Sequence, residues 1–181
     1  MPDPPILVRD RSFRPARLKP VLARLPDLAG EQIRVLRVTG LRDRRGAVHA
    51  GSFLRQRRIA FDCSADEFAR VLVHELFHFV WLRLGNPRRR SYERLLRREL
   101  AERARGELGW SADCRKRELL RADIRSRTRG WREYCCESFC DSAAWLYAGI
   151  ARHEEFTLTG RFRRRRGEWF GKIAGDGPLS I

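Results

Sequence analysis

One segment near the middle of the chain constrains the fold most strongly, because its pattern requires a buried helix. It reads SADEFARVLVHELFHFVWLRLGNP and spans residues 64–87. Ser64 and Glu67 have the spacing of a capping box, and the Gly-Asn-Pro at the end is a typical stop signal. The segment therefore predicts a helix over residues 65–84 that packs in the core. The apolar residues that recur at helical spacing are Phe68, Val71, Leu72, Leu76, Phe79 and Val80.

The same segment carries two histidines and a glutamate in the order His-Glu-x-x-His. His74 and His78 are four residues apart, so both imidazoles lie on one helix face and can reach one point. Two neutral imidazole nitrogens are a common contribution of one helix to a tetrahedral divalent ion. Glu75 lies about 100° around the helix from His74, where it can accept a proton from an activated water. Without a metal, three titratable side chains would be buried at a high desolvation cost. The spacing therefore favours a metal site over a core helix with satisfied histidines.

A catalytic metal site needs a third protein ligand in addition to the two histidines. Glu137 is the favoured ligand because it lies in the apolar segment YCCESFCDSAAW among small residues. Asp141 lies one helical turn further on the same face, where it could accept the outer N–H of a ligating histidine. Glu133, one turn before Glu137, is the rival carboxylate. His49 and His153 are the remaining imidazole candidates.

The cysteines favour reduced thiols over a disulfide framework. There are five of them, two are adjacent, and their spacing matches no secreted scaffold. Cys136 and Cys140 are four residues apart and could bind a soft metal together with Cys63. Residues of this kind more often pack as small apolar side chains.

The charge of the chain is strongly basic, with a formal net charge of +16. Only 3 of the 39 basic residues are lysine, a bias typical of GC-rich codon usage rather than of a selected binding surface. Most arginines alternate with acidic residues, which indicates solvated helix faces. Two segments, 88–90 and 161–166, are dense enough to suggest a contact with nucleic acid.

The remaining segments predict a single domain over residues 1–173, since 181 residues suit one core. An insert over residues 88–129 is rich in Arg and Glu, and we expect one or two surface helices there, broken near 109–113, with solvated glutamates. The other predicted elements are an N-terminal extension over 1–28 with a short helix near 21–24, antiparallel strands over 33–40, 47–53 and 57–62, a helix over 131–149, and a frayed tail over 174–181.

No segment of the sequence predicts insertion into a membrane. The N-terminal residues contain prolines and charges without an apolar run, and no stretch approaches the roughly 18 apolar residues of a membrane span. We therefore expect a soluble, cytoplasmic protein.

HELFH at 74–78, followed by ESFCD at 137–141, resembles the gluzincin branch of the zincin metallopeptidases. The resemblance covers residues 57–149 and implies a zinc ion bound by His74, His78 and Glu137. It also implies an α+β, zincin-like fold, in which a small antiparallel or mixed sheet packs on the active-site helix and on a second, glutamate-bearing helix.

Further roles follow from the resemblance for individual residues. Glu75 would be the general base, and Asp141 would orient a histidine. Enzymes of this type commonly stabilise the oxyanion with a histidine or tyrosine, for which Tyr134, Tyr147 and His153 are the candidates here.

The function expected from these patterns is zinc-dependent peptide hydrolysis by metal-activated water. The peptide or protein substrate would lie along an exposed strand, for which residues 57–62 are predicted. Two alternatives remain: a nucleic-acid-associated zincin-like protein, and a catalytically inactive zincin scaffold.

Overall fold

The computed structural model describes residues 8–9, 15–43 and 46–181 as an α+β fold. The helices are α1 (Pro15–Leu22), α2 (Phe68–Arg83), α3 (Gly85–Ala101), α4 (Trp110–Glu118), α5 (Arg121–Ser126), α6 (Arg129–Tyr147) and α7 (Gly160–Gly175). The strands are β1 (Val8–Arg9), β2 (Leu28–Ala29), β3 (Arg34–Arg37), β4 (Arg42–Asp43), β5 (Gly46–Ala47), β6 (Ala50–Phe53), β7 (Arg58–Phe61) and β8 (Leu179–Ser180).

The largest sheet is mixed and has the strand order β1-β3-β7-β6. Strands β1, β3 and β7 are parallel, and only β6 pairs antiparallel, with β7. The prediction that all three segments between residues 33 and 62 pair antiparallel was wrong for β3 and β7. The chain passes through the β4–β5 hairpin and β6 before it returns, so β7 runs in the same direction as β3.

The position of β7 also corrects the predicted peptide-binding strand. Residues 57–62 were expected at an exposed edge, but β7 lies between β3 and β6, and its backbone groups pair on both sides. The last strand of this sheet, within the described part of the chain, is β6.

The predicted core helix is present as α2, with ends close to those expected. Ser64 Oγ accepts a hydrogen bond from the Glu67 amide at 3.4 Å, which is one half of the predicted capping box. The Glu67 carboxylate instead pairs with Arg70 and His153. Gly85 ends the helix with a φ of +74°, a left-handed conformation that favours glycine. The predicted stop signal therefore changes the direction of the chain without ending the helical region, because α3 begins at Gly85.

Helix α2 packs on α6 through the centre of the hydrophobic core. Phe77 of α2 and Phe139 of α6 lie with their ring centroids 5.8 Å apart, and Phe170 of α7 lies 4.9 Å from Phe139. All three side chains are fully buried. This aromatic contact fixes the separation of α2 and α6, and so positions the polar side chains that the two helices direct at each other.

The segment predicted as a surface insert is partly a core element. Its glutamates were expected to be solvated, but Glu93, Glu99 and Glu107 are at most 4% exposed. Arg166, itself fully buried, pairs with Glu99 at 2.6 Å and with Glu107 at 2.7 Å. Glu93 pairs with Arg127 at 2.6 Å. Sequence alone could not separate these glutamates from solvated ones, because each partner lies at least 34 residues further along the chain.

The described residues near both ends of the chain take part in the fold, in contrast to the predicted N-terminal extension over 1–28 and frayed tail over 174–181. Leu18 and Val21 of α1 are buried in the core, and β1 pairs with β3. At the other end β8 pairs in parallel with β2, and Leu179 and Ile181 are almost fully buried. None of the described helices combines the length and apolar character needed to cross a bilayer.

Candidate metal centre

Three predicted ligand residues meet where α2 faces α6. The Nε2 atoms of His74 and His78 lie 3.2 Å apart, and Nε2 of His74 lies 3.4 Å from Oε2 of Glu137. Ligand atoms about 2.0–2.1 Å from a tetrahedral ion are separated from one another by about 3.3–3.4 Å. The two distances measured from His74 therefore match those around a small divalent ion, and the ligand atoms of all three side chains lie within 4.8 Å of one another. His74, His78 and Glu137 thus form a candidate metal-ligand cluster.

Asp141 holds the first histidine from behind. Its Oδ1 accepts a hydrogen bond from Nδ1 of His74 at 2.7 Å, so Nε2 is left as the nitrogen that faces the cluster. Its Oδ2 accepts from the amide of Ala112 at 3.0 Å. Asp141 is 2% exposed, and both its oxygens are used. The residue has the orienting position that the sequence predicted.

A glycine allows the chain to approach this carboxylate. A Cβ atom at Gly109 would overlap the carboxylate of Asp141. The backbone at Gly109 is extended, with φ −178°, so the need for glycine comes from this close contact rather than from the conformation. Helix α4 begins at the next residue, and its first turn supplies the Ala112 amide that binds Asp141.

The second histidine has a thiol behind it instead of a carboxylate. Sγ of Cys136 lies 3.4 Å from Nδ1 of His78. The thiol of Cys140, one turn further along α6, lies within 4.8 Å of the Cys136 thiol. Residues of α6 thus hold both imidazoles through Nδ1. Asp141 binds His74, and Cys136 binds His78.

The charges around the cluster favour a cation at its centre. Burial alone would lower the pKa of His74, but Asp141 and Glu137 outweigh it and raise the pKa well above the usual range. Burial alone would raise the pKa of Glu137, but its bond with His74 and the nearby His78 lower it to about 2. The carboxylates therefore stabilise positive charge where the imidazoles converge, whether a proton or a metal ion carries it.

The predicted general base is in contact with the sheet. Ser52 of β6 donates a short hydrogen bond to Oε2 of Glu75 and also lies 2.8 Å from its backbone oxygen. Glu75 is only partly buried. It follows His74 in α2, so the serine fixes the carboxylate between the last strand of the sheet and the metal-ligand cluster.

Arg115 is a site residue that the sequence analysis missed. It belongs to α4, and its Nη2 lies 3.6 Å from Oε1 of Glu137. Its Nε is buried and finds no hydrogen-bond partner among the residues that the structure describes. No sequence signal distinguishes Arg115 from the many arginines around it. Only the packing of α4 on α6 brings this one to the cluster.

The three candidate oxyanion stabilisers bind elsewhere. Tyr134 is fully buried and donates its hydroxyl to Glu107 at 2.6 Å. Tyr147 stacks on Phe77, and His153 pairs with Glu67 at 3.0 Å. Within the described residues, none of the three forms a hydrogen bond or ion pair with the metal-ligand cluster.

The rival ligands also lie outside the cluster. Glu133 pairs with Arg129 at 2.7 Å on the surface of α6, and His49 is exposed. His153 is held by Glu67, and Cys63 belongs to neither group of potential metal ligands among the described residues. Of the alternatives left open by the sequence, Glu137 is the one that the fold brings to the histidines.

Comparisons with known proteins add no further assignment: no family model matches the chain, and no curated protein or solved structure is significantly similar to it. The chemistry of the site is therefore argued from its own geometry.

Proposed function

We propose that this protein is a zinc-dependent peptidase of the gluzincin type. The observation that carries the proposal is the convergence of ligand atoms of His74, His78 and Glu137 within 4.8 Å of one another, on the helix that also carries Glu75. Two imidazole nitrogens and one carboxylate oxygen are the donor set of many catalytic zinc sites, with the fourth position open to water or substrate. A bound zinc ion would supply a Lewis acid and lower the pKa of water.

The protein's own residues can carry the proton steps of hydrolysis. Glu75 accepts a proton from the attacking water and passes it to the nitrogen of the leaving amine as the C–N bond breaks. Ser52 keeps the Glu75 carboxylate in place through its hydrogen bond. Because Ser52 lies on β6, the same strand that orients the base can bind substrate.

A peptide fits best along β6, in extended conformation. β6 is the last strand of the mixed sheet, and it contacts α2. A substrate strand added there would lie next to Ser52 and therefore close to Glu75, and main-chain hydrogen bonds would provide affinity without sequence specificity.

Arg115 is the residue best placed to bind the carbonyl oxygen of the scissile bond. Its guanidinium lies beside Glu137, and its buried Nε still lacks an acceptor. A positive group fixed near the cluster stabilises the negative charge that develops on the oxygen. Arg115 thus takes the role for which the sequence had suggested Tyr134, Tyr147 or His153.

Elemental analysis of the purified protein tests the metal site. Wild type should contain about one zinc per chain. With Cys136→Ala and Cys140→Ala also present, so that no thiol near His78 can hold the ion instead, His74→Ala and Glu137→Gln should lose it because each removes a ligand. Glu133→Gln, on the same helix but paired with Arg129 at the surface, is the matched control and should retain zinc. Wild type without zinc, or zinc that survives Glu137→Gln in the chain without Cys136 and Cys140, contradicts the assignment.

Cleavage of a broad peptide library tests the reaction and separates the enzyme from an inactive scaffold. Glu75→Gln should retain zinc and lose cleavage, since the amide cannot accept the proton. Arg115→Met should retain zinc and lower kcat by about 10²–10³. A wild type that contains zinc but cleaves no peptide favours the scaffold.

Nucleic-acid binding is a second candidate function, and we propose other arginines for it than the two dense segments. The dense segments 88–90 and 161–166 are largely engaged within the protein: Arg89 binds the carbonyl of Trp81, Arg163 that of Leu158, and Arg166 is buried. The sequence-dense runs are therefore mostly used internally.

A groove of about 660 Å³ between α3 and α5 offers an alternative surface. Four arginines line it around an apolar floor, and among the described residues none of the four has an ion-pair partner. The lining residues are Arg97, Leu100, Ala101, Arg103, Arg121, Ile124 and Arg125. Reversing Arg121 and Arg125 to glutamate should abolish a salt-sensitive affinity for DNA, whereas Arg98→Glu, at a paired position, should weaken it far less. No binding by wild type at 50 mM salt removes this candidate.

A further inference from the structure

A second group of ligand atoms lies on the other side of His78. Its members are the imidazole of His78 and the thiols of Cys136 and Cys140, and no two of their ligand atoms are more than 4.8 Å apart. The group differs from the first one in chemistry, because sulfur replaces oxygen. The sequence had suggested Cys63 as the partner of these thiols, but the fold provides His78 instead.

The geometry of the group suits direct coordination. Sγ of Cys136 lies 3.4 Å from Nδ1 of His78. Metal–ligand distances of about 2.3 Å for sulfur and 2.0–2.1 Å for nitrogen, in tetrahedral arrangement, separate the two atoms by about 3.6 Å. Cys136 and Cys140 are four residues apart on α6, so both thiols lie on one face of the helix, and their sulfur atoms lie within 4.8 Å of each other and of a ring nitrogen of His78.

The surroundings give the group the features of a closed site rather than of surface thiols. Cys140 is fully buried, and Cys136 and His78 are partly buried. The sulfur atoms of Cys136 and Cys140 lie within 4.8 Å of each other. Within the described part of the chain, the outer nitrogen of His78 has no carboxylate partner comparable to Asp141, and its hydrogen-bond partner is the thiol of Cys136.

We propose that His78, Cys136 and Cys140 form a second metal site, selective for a thiophilic d10 cation such as Cu⁺ or Zn²⁺. Thiolate ligands select these ions over the harder ones that oxygen ligands prefer. Binding forms two metal–sulfur bonds and one metal–nitrogen bond and releases the two thiol protons, without a change of oxidation state. The proposal does not rest on peptidase activity, because none of these three residues carries a proton in that reaction.

His78 belongs to both sites, so metal binding at one site competes with metal binding at the other. When its Nε2 binds an ion beside His74 and Glu137, its Nδ1 carries the proton and donates to Cys136. An ion at Nδ1 requires that proton to leave, so both nitrogens can hold ions only as an imidazolate bridge. Occupation of the thiol site therefore weakens binding at the first site, and loss of the first site strengthens binding at the thiols.

Titration with Cd²⁺ tests the site, because cadmium bound to thiolate gives an ultraviolet charge-transfer band. We expect the band to saturate at about one cadmium per chain in wild type and to be lost in the double variant Cys136→Ala/Cys140→Ala. The matched control is Cys63→Ala/Cys114→Ala, which removes two other free, partly buried thiols and should keep the band. The single variant Cys136→Ala, at the less buried position, provides the same test if the double variant does not fold.

Variants of the first site separate this proposal from the proposed function. His74→Ala and Glu137→Gln should lose the zinc of the first site and still give the thiolate band, at equal or lower cadmium concentration than wild type. His78→Ala should lose both. Competition with a copper(I) chelator then distinguishes Cu⁺ from Zn²⁺ as the ion held. Absence of the band in wild type, or a band that persists without Cys136 and Cys140, overturns the proposal.

Discussion

Asp141 accepts a hydrogen bond from Nδ1 of His74 at 2.7 Å, and through this contact α6 fixes the ring orientation of a histidine on α2. The second carboxylate oxygen is occupied by the Ala112 amide, so the aspartate also ties α4 to the cluster. Both carboxylate oxygens of Asp141 thus accept hydrogen bonds, and they connect α6 with α2 and α4 beside the proposed metal ligands.

Replacement of Asp141 by asparagine should lower zinc affinity about 10- to 100-fold, a typical loss when the partner of a ligating histidine is removed. Asparagine has one acceptor oxygen for two donors, so either His74 or Ala112 would face an NH2 group. Competition with a chromophoric zinc chelator measures the change. Asp113→Asn is the control, since Asp113 pairs only with Arg117 on the surface of α4, and an equal loss in both variants would contradict the orienting role.

Replacement of Gly109 by alanine should disturb the same contact from the other side. The added methyl group overlaps the Asp141 carboxylate, so we expect a loss of about 1–3 kcal/mol in the free energy of unfolding, together with weaker zinc binding. Urea unfolding and zinc competition measure the two effects. Gly171→Ala, on α7 with no atom within 4 Å of the added Cβ, should instead be neutral or stabilise the fold by up to about 1 kcal/mol.

Replacement of Arg166 by alanine should be among the most destabilising changes in the chain. It leaves the buried carboxylates of Glu99 and Glu107 without their guanidinium partner, at a cost of about 3–5 kcal/mol in the free energy of unfolding. Arg164→Ala changes an exposed residue in the same arginine run and should cost less than about 0.5 kcal/mol. Similar unfolding midpoints for the two variants would mean that the buried pair contributes nothing.

Replacement of Tyr134 by phenylalanine should destabilise the fold in a pH-dependent way. Burial alone would raise the pKa of Glu107, but Arg166, Lys116 and the Tyr134 hydroxyl lower it below its usual value of 4.5. A lowered carboxyl pKa contributes stability above the pKa of the unfolded chain, and this contribution is lost as the pH falls through the folded value. Without the tyrosine hydroxyl the pKa is lowered less.

The difference in unfolding free energy between wild type and Tyr134→Phe should therefore be largest above pH 4.5 and shrink on acidification. Near neutral pH we expect about 1.5–3 kcal/mol, the usual range for a hydrogen bond to a charged group. Denaturant unfolding between pH 3 and 7 measures it. In the same variant the kcat of peptide cleavage should be unchanged. A stable variant with a lowered kcat would instead support a catalytic role for Tyr134.

Replacement of Leu179 by alanine tests whether the end of the chain belongs to the core. Leu179 is 1% exposed and lies on β8, which pairs with β2, so the change should cost about 2–5 kcal/mol. Leu120→Ala, at a position that is 67% exposed, is the control and should have little effect. If residues 174–181 were a frayed tail, as the sequence suggested, the two variants would have the same free energy of unfolding.

The sequence alone determined the local features of this protein. The helix over residues 65–84 could be predicted within three residues of α2, because its apolar period and its glycine stop are properties of neighbouring residues. The juxtaposition of His74 and His78 follows from the same helical period. Glu137 and Asp141 could be proposed because their segment is apolar and its period places both on one face.

Tertiary structure decided everything that depends on the packing of distant segments. The parallel pairing of β3 with β7, the edge position of β6 and the burial of Glu107 beside Arg166 have no local signal, since each partner lies far along the chain. Arg115 and Cys136 reach the metal-ligand cluster for the same reason: an arginine on a charged helix and a thiol in an apolar one acquire their chemistry only from the side chains that the fold places against them.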